Sequence, residues 1–239
     1  MPSSGKVAVV TGATGALGKV VTKELLECGM LIVSSFKNPV PQKELLEFLG
    51  PLSSGLTSVE ADVTVEKDVD NVFRKAIDLH GRVDVLLNVV GGYKGGSEIQ
   101  STSSDEWDTM MNVNLKSAFL CSRAALPHMI RQNYGRIVNV SARPAVEKRF
   151  RVKSGAYAVS KAGVAVLTET IAEEVRRYDI NVNAIMPSTI DTPDNRKNMP
   201  QADFTKWVAP EDIAKVILCL ISDDSRITSG ALVPVYGKA

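Results

Sequence analysis

The segment Lys6-Val7-Ala8-Val9-Val10-Thr11 is followed at once by Gly12-Ala13-Thr14-Gly15-Ala16-Leu17-Gly18. The first segment is an apolar run of strand length, and the second is a glycine-rich turn at the start of a helix that runs to about residue 28. Glycines let a backbone approach a pyrophosphate, and a helix N-terminus offers free N–H groups and the positive end of the helix dipole. This strand–turn–helix context favours a dinucleotide-binding turn over a tight turn that binds nothing.

Apolar runs of strand length alternate with longer amphipathic stretches along the rest of the chain. Further strands are predicted at residues 31–35, 57–61, 83–89, 136–140, 180–185 and 231–235. Further helices are predicted at residues 42–49, 64–80, 104–132, 155–177 and 210–221, with Thr64 as an N-cap and Pro127 as a bend. Such alternation is typical of an α/β fold in which helices cover a parallel sheet. Because no repeat, low-complexity tract or linker interrupts it, the sequence predicts a single domain over residues 1–239.

Composition and charge limit the function classes. Apolar residues make up 44% of the 239 residues, charged residues make up 23%, and the net charge is +1. This balance is ordinary for a globular protein and gives no overall field for nucleic acid or a membrane surface. No apolar run reaches the roughly 18 residues of a membrane-spanning helix, and residues 1–6 lack the layout of a signal peptide. The expected partner is therefore a small-molecule substrate, and the expected location is cytoplasmic.

The three cysteines, Cys28, Cys121 and Cys219, lie far apart and fit no metal-ligand spacing. They predict buried thiols in a reducing compartment. The two histidines, His80 and His128, have no partners for a triad or a metal site in the pattern. The sequence therefore predicts no metal.

A tyrosine and a lysine are spaced for one face of a helix in the heptapeptide Tyr157-Ala158-Val159-Ser160-Lys161-Ala162-Gly163. Good helix formers place Tyr157 and Lys161 one turn apart. An ammonium beside a phenol favours the phenolate and lowers the tyrosine pKa toward the operating pH. The pair is thus a candidate proton donor, and an ordinary surface pair is the alternative.

The residue that contacts the cofactor ribose is expected after the second strand. Dinucleotide-binding folds place an acid there for a 2′-hydroxyl, or a basic residue for a 2′-phosphate. Phe36 and Lys37 occupy this place, and no acid occurs between residues 31 and 43. This favours NADP(H) over NAD(H), with Lys37 and Ser35 as candidate phosphate contacts. A solvated surface lysine is the alternative for Lys37.

The motifs form an ordered set along the chain: Thr11-Gly12 with Gly15 and Gly18, Asp62-Val63, Asn88-Val89-Val90-Gly91, Asn114, Tyr157 with Lys161, and Pro187 followed by Thr192. In this set the chain resembles the short-chain dehydrogenase/reductase family over essentially its whole length. The resemblance implies a doubly wound, Rossmann-like parallel sheet of seven strands with helices on both faces. It also implies a nicotinamide cofactor, hydride transfer, and a homodimer or homotetramer formed through the helices predicted at 104–132 and 155–177.

The same resemblance implies roles for single residues. Tyr157 would donate or accept the proton, Lys161 would hold the nicotinamide ribose and lower the tyrosine pKa, and Asn114 would anchor a water in a proton relay. With Tyr157 and Lys161, the predicted cofactor-binding residues are Gly12, Thr14, Gly15, Leu17, Gly18, Lys37, Asp62, Val63, Asn88, Val90, Gly91, Pro187, Thr189, Ile190 and Thr192.

The chain departs from the family just after the fifth strand. Many members have a serine there that polarises the substrate carbonyl, and the strand count puts Ala142 at that place, with Ser141 one residue early. Because neighbouring residues at a strand end point to opposite sides, Ser141 is expected to face away from the substrate. A shifted loop that lets Ser141 act is the alternative. A smaller departure is Ala16 at the middle position of the glycine pattern.

A narrower similarity concerns two loops and a turn. Residues 88–96, 191–207 and 15–18 are similar to dihydropteridine reductases, a branch that lacks the catalytic serine and reduces a quinonoid dihydropterin. In that branch an aromatic residue that can stack on the planar substrate stands at the place of Tyr93. The similarity implies a planar quinonoid or conjugated substrate, with Tyr93 and Ala142 as substrate-site residues. That branch uses NADH with an acid after the second strand, which this chain lacks.

Other interpretations remain open at this point. The substrate could be a ketone/alcohol couple, including a 3-oxoacyl thioester, and the protein could be a non-catalytic NADP-binding regulator. Residues 189–208 exceed the usual loop length and are a candidate lid. A basic loop beside the Tyr157 helix is either a solvated loop or a collar for an anionic substrate; it holds Arg143, Lys148, Arg149, Arg151 and Lys153.

Overall fold

The computed structural model describes residues 5–238. The expectation that residues 1–6 are not a signal peptide falls mostly outside the described residues. Seven strands form one sheet: β1 (Val7–Thr11), β2 (Leu31–Phe36), β3 (Leu56–Glu60), β4 (Val85–Asn88), β5 (Gly135–Val140), β6 (Ile180–Pro187) and β7 (Leu232–Val235). Their order is β3-β2-β1-β4-β5-β6-β7, and each neighbouring pair is parallel. The prediction of a doubly wound, seven-stranded α/β fold is confirmed.

Helices connect the strands. Those of the described residues are α1 (Ala16–Glu27), α2 (Pro39–Leu49), α3 (Glu66–His80), α4 (Ser104–Met110), α5 (Ser117–Gln132), α6 (Gly155–Glu174), α7 (Pro193–Asn198) and α8 (Pro210–Ile221). Within residues 5–238, no helix combines the length and the apolar character that crossing a membrane requires.

The sheet is buried on both faces, and alternate strand residues supply the two cores. Ala8 and Val10 of β1 pack with α1, α2 and α8, whereas Val9 packs with α3, α5 and α6. This is the period-two alternation of a strand, and it explains why a strand covered on both sides reads as a continuous apolar run. Because both faces are buried, a ligand can enter only at the ends of the strands.

The strand order reverses at β1, which pairs with β2 on one side and with β4 on the other. The connections from β1 and β4 leave in opposite directions, so a crevice opens beyond their carboxyl ends. Ligands of doubly wound sheets bind at such a switch point. The β1–α1 turn and the residues after β4 both lie at this point.

Several predicted boundaries are wrong for local reasons. Thr64 does not cap α3, because its hydroxyl donates to Asp62 Oδ1 (2.7 Å) and the helix begins after Val65. Strand β4 begins two residues late, since the N–H and carbonyl of Val83 bond to the Gln132 side chain (3.0 and 2.9 Å). Helix α2 begins earlier than predicted, at Pro39.

Two longer predicted segments are subdivided. The helix predicted at residues 104–132 contains a π-helical turn at Met111–Lys116, and Pro127 lies within α5. The predicted loop at residues 189–208 contains α7 and a short 3₁₀ turn at Phe204–Lys206. The interruption of the long helix thus comes well before its proline.

The turn between β1 and α1 packs backbone against backbone. A methyl group on Gly18 would lie 1.9 Å from the Gly12 carbonyl oxygen, far inside van der Waals contact. A methyl group on Gly15 would lie 3.4 Å from the same oxygen, which is an ordinary contact. The closure of the turn therefore requires glycine at residue 18, whereas space alone does not require it at residue 15.

Gly18→Ala is expected to reduce the free energy of unfolding by about 1–3 kcal/mol, the usual cost of forcing extra atoms into a packed site. Gly15→Ala is the matched control and should change it by less than about 1 kcal/mol, because φ of −76° at Gly15 suits alanine. Urea unfolding followed by circular dichroism measures both. Equal losses in the two variants would show that the contact with Gly12 does not control the turn.

Candidate active site

The predicted catalytic residues meet at the carboxyl edge of the sheet, beyond β4 and β5. Lys161 of α6 is buried, and its Nζ donates a hydrogen bond to the Val140 carbonyl at the end of β5 (2.7 Å). A methyl group on Gly91, just beyond β4, would lie 3.0 Å from both Lys161 Nζ and Asn114 Oδ1. The close approach of the backbone at Gly91 therefore brings Lys161 and Asn114 to one place.

Asn114 is positioned by the π-helical turn between α4 and α5, a type of irregularity that is frequent at functional sites. Its buried side chain accepts a hydrogen bond from the Gly92 N–H (2.9 Å) and donates to the Gly92 carbonyl (3.1 Å) and to Ser160 Oγ (3.0 Å). These bonds hold the loop after β4 against α6. Asn114 thus connects two walls of the site.

Tyr157 stands one turn before Lys161 on α6 and is half-buried. Burial, and then the neighbouring Tyr93, raises the pKa of Tyr157 above its ordinary value. Burial lowers the pKa of Lys161 to about 8. The expectation that Lys161 lowers the Tyr157 pKa is wrong for this structure, because loss of hydration dominates at both groups.

Tyr93 covers one side of Tyr157. The two rings meet edge to face, with 5.0 Å between their centroids and 77° between their planes. Tyr93 is itself 66% exposed, so much of its surface remains open. Its loop is tied to the segment after β5, because the Gly96 N–H donates to the Lys153 carbonyl (2.7 Å). An aromatic side chain thus stands beside Tyr157, where the sequence predicts one.

Ser141 and Ala142 follow β5. The N–H of Ser141 donates to the Ile185 carbonyl (2.9 Å), and its buried hydroxyl donates to the Lys161 carbonyl (2.8 Å). Ala142 has an extended backbone and is also buried. The serine hydroxyl is therefore used by the main chain of α6, and the next residue brings only a methyl group.

A cavity of about 390 Å³ lies at the strand switch point, beside the β1–α1 turn. Ser35 and Phe36 line it. The N-terminus of α1 has no side-chain cap, which leaves its N–H groups available to a phosphate. These features fit the adenosine and phosphates of a nicotinamide dinucleotide. Predicted cofactor residues that line the cavity are Gly12, Thr14, Lys37, Asp62, Val63 and Val90.

Lys37 and Asp62 form an ion pair at this cavity, with 2.5 Å between Lys37 Nζ and Asp62 Oδ2. Burial by itself would raise the pKa of Asp62, but hydrogen bonds from Lys37 and Thr64 lower it to about 2. The bond to Asp62 raises the pKa of Lys37. Both groups are charged at neutral pH, so the predicted phosphate contact Lys37 already has an anionic partner in the chain.

Other predicted cofactor residues have structural roles. Leu17 is buried in the core formed by α1 and α8. Asn88 lies at the end of β4 and donates to Asn139 Oδ1 of β5 (2.8 Å), so it braces the centre of the sheet. Pro187 is the last residue of β6 and is buried in the sheet. Their direct contact with a cofactor stays a prediction.

The segment after β6, predicted as a lid, is an ordered strap. The Val208 N–H donates to the Thr189 carbonyl (3.0 Å), and Ile190 forms a β-bridge with Val208. Thr192 caps α7 by accepting a hydrogen bond from the Asn195 N–H (3.1 Å). The two ends of the strap are thus paired with each other beside the carboxyl edge.

Sequence reasoning missed two partners in the site. Ser160 accepts a hydrogen bond from Asn114 and donates to the Tyr157 carbonyl (2.7 Å). The Val140 carbonyl is the partner of Lys161. The signal for Ser160 was a small polar residue directly before Lys161 in a helix that is mostly apolar where it is buried. A main-chain partner leaves no signal in residue type.

The cysteines do not form a site. Cys121 is buried and Cys28 is half-buried, but Cys219 is exposed, so the prediction of buried thiols is wrong for Cys219. Cys219 lies on the outer face of α8, whose inner face packs on the sheet. Among residues 5–238, no group of three or more His, Cys, Asp or Glu side chains could hold a metal ion.

Comparison of the sequence with known proteins gives matches that cover most of the chain. The family model described as short chain dehydrogenase matches residues 6–203. The chain is also 31% identical over 245 residues to the 3-oxoacyl-[acyl-carrier-protein] reductase FabG of Thermotoga maritima, and the alignment covers 99% of this chain and 98% of the relative.

Two solved structures share the fold. One is ElxO with NADP bound, with a TM-score of 0.91, 24% identity and 98% of each chain covered. The other is an NAD⁺-bound xylitol dehydrogenase, with a TM-score of 0.90, 26% identity, and 99% of this chain and 100% of that chain covered. The nicotinamide cofactors of these two proteins differ, so the likeness does not decide between NAD and NADP.

Proposed function

The chain belongs to the short-chain dehydrogenase family of NAD(P)-dependent oxidoreductases, and we propose that it reduces a planar conjugated or quinonoid substrate with Tyr157 as the proton donor. A quinonoid dihydropterin is the named example of such a substrate. The observation that carries the substrate class is the use of the Ser141 hydroxyl by the Lys161 carbonyl, with Ala142 at the place of the family serine. During reduction, a ketone concentrates the developing negative charge on one oxygen, whereas a conjugated ring spreads that charge over several atoms.

The residues of the chain divide the work of proton delivery. When bound, the nicotinamide cofactor supplies the hydride. Burial raises the pKa of Tyr157, so its phenol is protonated at neutral pH and can give up its proton once negative charge develops on the substrate. Hydrogen bonds with the Val140 carbonyl and the Gly92 N–H hold the side chains of Lys161 and Asn114 in place at the site. The exposed Tyr93 ring supplies a flat surface on which a planar substrate can stack.

A ketone/alcohol or 3-oxoacyl couple is the second candidate. It is favoured by the 3-oxoacyl-[acyl-carrier-protein] reductase of Thermotoga maritima, which this chain resembles over 99% of its length. A non-catalytic NADP-binding regulator is less well supported, because the three predicted catalytic residues are all present. Lys161 and Asn114 both lie close to Gly91, and Tyr157 lies one turn before Lys161 on α6.

Tyr157→Phe is expected to lower the turnover of a reducible substrate by about 10²–10⁴-fold, the usual contribution of a positioned proton donor. The dissociation constant for the cofactor should change little, because the ring is kept. Tyr178→Phe, which removes a hydroxyl just before β6 at the opposite edge of the sheet, is the matched control and should retain full turnover. Normal rates in Tyr157→Phe would refute the assigned proton donor.

Substitutions after β5 distinguish the two substrate classes. Ala142→Ser is expected to raise the turnover of a ketone about tenfold by adding a donor for its oxygen, and to leave the turnover of a quinonoid substrate nearly unchanged. Ser141→Ala is the neighbouring control and should not lower either rate more than about twofold, apart from any loss of stability. Rapid ketone turnover in the unmodified protein that collapses in Ser141→Ala would assign the catalytic role to Ser141 instead.

We also propose NADP(H) as the preferred cofactor. The support is the presence of Lys37, and the lack of any acid in residues 31–43, at the end of β2 beside the cavity. To bind a 2′-phosphate, Lys37 would exchange its contact with Asp62 for the phosphate. Since Lys37 is exposed, this exchange requires no burial of charge.

Lys37→Gln is expected to raise the dissociation constant for NADPH about tenfold, the value of one charge-assisted hydrogen bond, and to leave that for NADH within about twofold. Lys43→Gln, an exposed lysine of α2 that pairs with Glu47, is the control. Fluorescence titration of each variant with both cofactors gives the four constants. Tighter binding of NADH by the unmodified protein would reverse the assignment.

Pairing of copies through α4, α5 and α6, and a cytoplasmic location, stay predictions that rest on the family. Size-exclusion chromatography with light scattering tests the first, since a monomer at micromolar concentration would contradict it.

A further inference from the structure

Arg143 directly follows Ala142, and its side chain is only 7% exposed. Its Nε donates to Glu147 Oε1 (3.0 Å). The guanidinium lies between two aromatic rings, with its central carbon 4.1 Å from the centroid of Phe150 and 4.3 Å from that of Tyr236. Both rings are within cation–π distance of the guanidinium, and such contacts leave its N–H groups free for hydrogen bonds.

Among residues 5–238, the two terminal nitrogens of Arg143 have no hydrogen-bond partner. The hydrogen bond of this side chain is the one from its Nε–H to Glu147. A guanidinium carries five N–H groups, and four of them are on these two nitrogens. These nitrogens are not among the fully buried atoms that lack a partner, so they reach the protein surface and can donate to an acceptor that comes from outside the described chain. The unused donors of Arg143 are therefore available to a ligand.

The guanidinium lies at the carboxyl ends of the strands, as Tyr157 does. Tyr236 follows β7, and its carbonyl accepts a hydrogen bond from Ser188 Oγ just after β6 (2.8 Å). Both residues therefore stand beyond the carboxyl ends of their strands. Arg143 reaches this edge from β5, next to the place of the family serine.

The rest of the basic loop is arranged differently. Arg151 donates to the carbonyls of Pro144 (2.8 Å) and Ala145 (2.7 Å), so it braces the loop itself. Arg149 is exposed and shares Glu147 with Arg143. In this loop the buried side chain with unused donors is Arg143.

We propose that Arg143 binds a carboxylate of the substrate, so that the substrate is an anionic conjugated or carbonyl compound. Two coplanar N–H donors match the two oxygens of a carboxylate. The slot between Phe150 and Tyr236 keeps the guanidinium plane fixed, and a flat carboxylate in that plane can continue into a flat substrate. This inference deepens the function proposed above and rests on it.

The test compares matched substrates in the presence of NADPH. The probes are anthraquinone-2-carboxylate with its carboxamide, and 3-oxobutanoate with 3-oxobutanamide. The unmodified protein is expected to prefer a carboxylate over its amide by about 10- to 100-fold in kcat/KM, the value of a paired charge-assisted contact. Arg143→Met should bring the ratio close to one, mainly through KM, and Arg143→Lys should keep part of it.

Arg177→Met is the control, because Arg177 also stacks on an aromatic ring, that of Tyr178, but lies near the amino ends of the strands. It should leave the ratio unchanged. If Arg143 only clamps the loop, Arg143→Met will lower both members of each pair alike, and the proposal is overturned. An unmodified protein that shows no preference for the carboxylates also overturns it, whether or not the variant folds.

Failure of the proposed function has a different result. If neither quinone nor ketone is reduced, calorimetric titration of the NADP⁺-bound protein with the same four probes decides the matter. Carboxylates that bind at least tenfold more tightly than their amides, with the difference lost in Arg143→Met, support the anion site alone. Equal binding of acid and amide rejects the anion site as well.

Discussion

The hydroxyl of Thr11 ties the end of β1 to the end of β4, and the site depends on that tie. It donates to the Leu87 carbonyl (3.3 Å) and accepts hydrogen bonds from the N–H groups of Val89 (3.1 Å) and Val90 (3.3 Å). The chain that leaves β4 is thereby held beside the β1–α1 turn. From there it continues through Gly91 to Asn114 and Lys161. One buried side chain thus joins the proposed cofactor site to the proposed catalytic residues.

Short-range patterns made much of this structure predictable. The apolar strands, the glycine turn and the spacing of Tyr157 and Lys161 each depend on neighbours a few residues away. The doubly wound sheet was implied by the family resemblance that the motif set carries. The orientation of Ser141 also agrees with simple strand alternation. Thr64 shows the limit of local rules, since a nearby carboxylate used the hydroxyl that a helix cap would need.

The less predictable parts depend on distant partners. The π-helical turn at Asn114 is stabilised by contacts with Gly92 and Ser160, which are far away in sequence. The stacking of Arg143 on Tyr236 joins residues that only the sheet brings together. The directions of the pKa shifts were also not predictable, because the spacing shows that Lys161 is near Tyr157 but not that burial is the largest influence on both pKa values.

The hydrogen bond from Gly96 to Lys153 has a consequence for altering this protein. It links the loop that carries Tyr93 to the loop that carries Arg143, so the two walls of the proposed substrate site are joined by a backbone hydrogen bond. A loop transplanted alone from another family member would lack the loop that it contacts in its own protein. We therefore expect that a change of specificity by loop exchange needs both loops from one donor.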